Sequence, residues 1–159
     1  MLRLQLIKNL KRNLILEMHK LILDTNIIIS ALHRAESDPD IILSMTLDRE
    51  LGIACICLSK EIFEEYKEVL SRDKFSYFNQ SRVKDVLGKI KKAALWVDPK
   101  LQVNVVKVDP VDNKFLECAL ACQADFLITG NTKHFPFKEF HQTKVVNPGK
   151  FLELIAEAK

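Results

Sequence analysis

Residues 20–32 read KLILDTNIIISAL. Residues 20–23 form a short apolar run of the kind that becomes a buried strand, and a helix is expected over 26–32. Asp24 falls at the junction. A carboxylate at the end of a buried strand is costly unless it ion-pairs, hydrogen-bonds or binds a metal, so Asp24 has to be explained by something outside this stretch.

Working outward, the same strand-then-helix unit recurs. SDPD opens a helix in which Asp38 is a candidate N-cap and Pro39 suits the first helical position. LGIACICLS, residues 51–59, reads as a second strand, with Ser59 capping the helix KEIFEEYKEVL. SRVKDVLGKIKKAALWV is helical and runs into an extended segment near Val97. LQVNVVKV is strand-like, DNKFLECALACQ helical, ADFLITG a strand, and KVVNPGKFLELIAEA a short strand followed by a terminal helix. Hairpin signals are few. Alternating strands and helices predict an α/β fold, a three-layer α/β/α sandwich around a mainly parallel sheet.

The chain has 159 residues, 48% of them apolar, which suits one globular core, and residues 18–159 are expected to form a single domain. Residues 1–17 stand before it as an N-terminal extension, either a helix or a basic arm. A net charge of +3 permits a nucleic-acid partner without requiring one. No apolar stretch reaches the roughly 18 residues of a membrane span, and the start lacks a signal-peptide core, so a cytoplasmic location is expected. Cys55, Cys57, Cys118 and Cys122 form C-x-C and C-x3-C pairs rather than zinc-ribbon spacing, and read as small core residues.

Asp24, Asp109 with Asp112, and the turn TGN ending at Asn131 all follow expected strands. In a parallel sheet those ends share one edge, where α/β proteins bind ligands. The helix over 60–70 offers several glutamates. At about 100° per residue, Ile62, Phe63, Tyr66, Val69 and Leu70 define its apolar face, Glu61, Glu64 and Glu68 point away, and Glu65 lies at the border. Asp112 projects on the apolar side of its helix with Phe115 and Leu116, although an Asp at a helix start also serves as a cap. Clustered carboxylates repel unless a cation neutralises them, and oxygen-only ligands suit Mg²⁺ or Mn²⁺, which favours phosphoryl chemistry.

The segments LILDTNIIISAL, SKEIFEEYKEVL, VDPVDNKFLECALACQADFLITGNTKHF and VVNPGKFLEL, in that order and spacing, resemble a PIN domain, specifically the toxin components of prokaryotic toxin–antitoxin systems. The similarity covers about residues 18–155. It implies a Rossmann-like nuclease fold that binds Mg²⁺ or Mn²⁺ in an acidic pocket and hydrolyses RNA. By motif, Asp24, Glu65 and Asp112 are its metal-binding and catalytic acids, and Asn131 stands where TGD is usual. An amide oxygen can ligate a metal or orient water but brings no charge, so the departure points to weaker metal binding, or to a PIN fold that binds RNA or protein without cutting. Asn26, Asn113 and Thr129 would orient the acids, although Asn26 equally suits a helix start. Asp109 and Asp125 suit turns and caps.

For substrate, Lys133 and His134 follow the TGN turn, while Lys89 and Lys92 belong to a basic run with Lys84, Lys91, Arg72, Lys74 and Arg82 that equally reads as a solvated helix face. The resemblance further implies a cognate antitoxin and a homodimer. A haloacid-dehalogenase-like phosphatase also begins with Asp after its first strand, but its acid/base two residues later would here be Asn26, and an amide cannot exchange protons in that role.

Overall fold

The computed structural model describes Gln5 and residues 18–157. The expectation for residues 1–17 therefore falls outside the described residues, Gln5 apart. The opening stretch forms β1 (His19–Leu23) and α1 (Thr25–His33). There follow α2 (Asp38–Leu47), β2 (Ala54–Leu58), α3 (Lys60–Leu70), α4 (Gln80–Ala93), β3 (Leu95–Trp96), α5 (Asn113–Cys122), β4 (Phe126–Ile128), β5 (Glu139–Phe140), β6 (Thr143–Val146) and α6 (Pro148–Glu157).

The strands make one six-stranded sheet in the order β3-β2-β1-β4-β6-β5, parallel throughout except for the β5–β6 pair, and helices flank it. This is the α/β architecture the sequence predicts. β1 is central, and Leu21, Ile22 and Leu23 are fully buried. From β1 the chain winds outward to β2 and β3, then crosses back to lay β4 on the other side of β1. The carboxyl ends of β1 and β4 therefore meet at the topological switch point, where open α/β sheets leave a crevice.

Several local expectations change. The first N-cap of α2 is Ser37, whose hydroxyl accepts from the Asp40 N–H at 3.4 Å, so Asp38 is already helical and Pro39 comes second. The second strand is shorter than expected, because residues 49–51 form a helical turn that Gly52 ends with a left-handed φ of 62°, a conformation glycine tolerates best. Ser59 does cap α3, through the Ile62 N–H at 3.3 Å. Residues 101–108 are not a strand. Their alternating valines suggest one, but β3 ends the sheet on that side and the segment instead hydrogen-bonds to side chains of α5. The two-residue edge strand β5 carries no hairpin signature, and the sequence reading omits it.

All four cysteines are free and buried in the core. Among the described residues no helix is long and apolar enough to cross a membrane.

Candidate active site

Asp24 is 6% exposed at the end of β1. It is the N-cap of α1, with Oδ1 accepting weakly from the Asn26 N–H at 3.4 Å, so the cap is the aspartate and Asn26 itself is exposed. Its Oδ2 accepts from the Thr129 hydroxyl at 2.7 Å. Thr129 is fully buried just past β4, so this bond bridges the switch point. Burial pushes the Asp24 carboxyl up from its ordinary value and the nearby charge of Glu65 adds to the effect, while the Thr129 and backbone hydrogen bonds pull against it.

Glu65 comes from α3. Tyr66, fully buried beside it, donates its hydroxyl to the Leu23 carbonyl at 2.5 Å and so pins this helix to the end of β1. Glu61, Glu64 and Glu68 are exposed and Glu65 is half-buried, as the helical periodicity predicts. Both Glu65 oxygens are engaged: the Thr25 hydroxyl donates to Oε2 and the Lys114 ammonium contacts Oε1. Lys114, 5% exposed, is a site residue the sequence reading passes over, because a lysine in a helix normally reads as solvated.

Asp112 ends the helical turn over residues 110–112 that leads into α5, with its side chain 14% exposed. Its pKa is pushed up to about 6 by burial first, then by the charges of Asp24, Asp109 and Glu65, with a hydrogen bond to His134 lowering it. His134 Nδ1 lies 3.5 Å from Asp112 Oδ2. Asp112 reaches this place without the expected strand before it. Asn113 replaces the ladder: its Oδ1 accepts from the Val105 and Val106 N–H groups at 3.0 and 2.9 Å, and its Nδ2 donates to the Val106 and Pro110 carbonyls at 3.1 and 2.8 Å. Its amide is spent on fastening the loop, which positions Asp112 through the backbone.

Asn131 is exposed; its N–H donates to Thr129 Oγ1 at 3.0 Å, and its side chain does not cap the turn that follows. Lys133 is exposed beside it. Lys89 pairs with Asp85 at 2.9 Å on α4 and Lys92 is exposed on the same helix. Asp109 caps its own turn through the Val111 N–H at 3.3 Å, and Asp125 accepts from the Lys20 N–H at 2.8 Å, both local structural uses.

Three acids from three distant segments thus influence one another across the switch point, with Thr25, Thr129, Lys114 and His134 touching them. Among the described residues no three His, Cys, Asp or Glu side chains form a ready-made metal cage. The donors are all oxygens, and burial, reinforced by neighbouring carboxylates, holds Asp24 and Asp112 above their ordinary pKa, so a hard divalent cation would favour both anions.

A family model described as the PIN domain matches residues 20–133. Among solved structures, the crystal structure of PAE2754 from Pyrobaculum aerophilum superposes with a TM-score of 0.54 at 14% identity, covering 88% of this chain and 90% of that one, a likeness of fold alone. No curated protein matches the chain.

Proposed function

The chain belongs to the PIN domain family, a family of predicted nucleases, and on that premise we propose that it is a divalent-metal-dependent ribonuclease hydrolysing RNA phosphodiester bonds. The observation that carries this reading is the meeting of Asp24, Glu65 and Asp112 at the β1–β4 switch point, with Asp24 and Asp112 both held above their ordinary pKa. Mg²⁺ or Mn²⁺ would be held at this cluster of acids. When bound, such an ion supplies Lewis-acid polarisation of a phosphodiester and acidifies water.

The rest is done by the chain. Thr129 and the start of α1 fix Asp24 in one orientation. The loop fastened by Asn113 holds Asp112 against it. His134, 36% exposed, stands on the solvent side of Asp112, where it and Lys133 would meet a phosphate. Incubating a mixed RNA pool with Mg²⁺ or Mn²⁺ tests the reading: cleavage is expected from the native chain and none from Asp24→Asn or Asp112→Asn. Undiminished cleavage by either variant would sink it.

Asn131 favours a second reading, a PIN fold that binds RNA or protein without efficient cutting. Asn131→Asp discriminates, since a large gain in activity means that the native site is crippled. Under the first reading the chain acts as a toxin restrained by an antitoxin protein, and a neighbouring gene for a small DNA-binding protein would support that role.

A further inference from the structure

The ammonium of Lys114 has no place in the ligand pattern of three acids. It lies in the first turn of α5, two residues after Asp112, 5% exposed and 5.5 Å from the centre of the Phe115 ring. At that burial it does not reach out to a substrate phosphate, and an unpaired ammonium there would be costly. Glu65 supplies the pairing through Oε1, and Thr25 takes Oε2. The carboxylate that the family motif marks as a metal ligand is thus occupied, at both oxygens, by the chain itself.

Charge counting gives this a consequence. Asp24, Glu65 and Asp112 bring three negative charges, Lys114 returns one, and the remaining two match a single divalent ion. Asp109 adds a further charge nearby, but its Oδ1 is turned to the Val111 N–H. The fourth motif position, Asn131, is exposed and adds no charge to this count. A neighbouring positive charge opposes binding of another, and a buried one is poorly screened.

We propose that the site takes one divalent cation, held by Asp24 and Asp112, and that Lys114 is a built-in second cation that makes Glu65 a positioning residue instead of a ligand. The proposal rests on the reading of the acids as a metal site. Under it, Glu65 ties α3 to the start of α5 through Lys114 and to the start of α1 through Thr25, which keeps Asp24 and Asp112 at a fixed separation.

Titration of the full chain with Mn²⁺, with free ion followed by electron paramagnetic resonance and heat by calorimetry, tests the stoichiometry without any activity readout. The native chain and Lys114→Arg are expected to bind one ion each, whereas Lys114→Met is expected to bind a second. The double variant Glu65→Gln/Lys114→Met removes both charges together and so leaves no buried charge unpaired. It is expected to bind one ion within about threefold of the native affinity, a shift well under 1 kcal/mol. Two ions in the native chain, an unchanged stoichiometry in Lys114→Met, or loss of binding in the double variant overturns the proposal while leaving the acids as a metal site. No Mn²⁺ binding by the native chain, or binding that Asp24→Asn leaves intact, removes the metal site itself and the proposal with it.

Discussion

Asp112 holds its proton more tightly in the folded chain than in an unfolded one, because burial and the charges of Asp24, Asp109 and Glu65 disfavour its anion. Its folded pKa of about 6 exceeds the ordinary 3.8, so between those values the native state binds the extra proton. Stability in metal-free buffer therefore falls as pH rises through that window and levels off above it. Asp112→Asn is predicted to be more stable than the native chain near pH 7, by on the order of 1–2 kcal/mol after solvent screening, with the difference closing toward pH 4. Urea unfolding with a chelator present, at both pH values, measures this; a difference that does not change with pH would contradict it. A residue that lowers stability where it sits is a residue kept for another use.

At the level of elements, two tethers decide whether the acids meet. Tyr66→Phe removes the hydroxyl that donates to the buried Leu23 carbonyl, with a predicted loss of about 1–2 kcal/mol in unfolding free energy. Asn113→Ala strips the four hydrogen bonds that fasten residues 105–110 and is predicted to cost about 2–4 kcal/mol, with faster hydrogen exchange at the Val105 and Val106 amides. An unchanged exchange rate there would show that the loop is held by something else. The same elements mark what was legible in the sequence. The helix of Glu65 has a clean 3.6-residue apolar face, so both its limits and the choice among its glutamates follow from periodicity. The strands beside Asp24 and Thr129 are continuous apolar runs ending in turn residues, and they read equally well. Residues 101–108 mislead because valine is favoured in strands whether or not a partner strand exists, and their actual partners are two side chains of α5, the Glu117 carboxylate and the Asn113 amide. Lys114 is hidden for a related reason: nothing in DNKFLECAL distinguishes a lysine aimed at a distant glutamate from one aimed at water.

For the molecule as a whole, a site whose acids repel one another is stabilised by whatever neutralises them. Mn²⁺ at about a hundredfold excess over its dissociation constant is predicted to add about 2.7 kcal/mol, or roughly 5–10 °C in Tm for a domain of this size. The shift is expected to vanish in Asp24→Asn, and an equal shift in that variant would place the ion elsewhere. The bond from Thr129 to Asp24 joins positions 105 residues apart in the chain. β1, the central strand, has β2 on one side early in the chain, but its other neighbour, β4, arrives only at residues 126–128. During synthesis, then, the crevice has only one wall until residues 126–128 have left the ribosome. A nascent or truncated chain that stops short of β4 carries Asp24 and Glu65 without the threonine that orients the first, so the cluster of acids cannot be completed before Thr129 has been made.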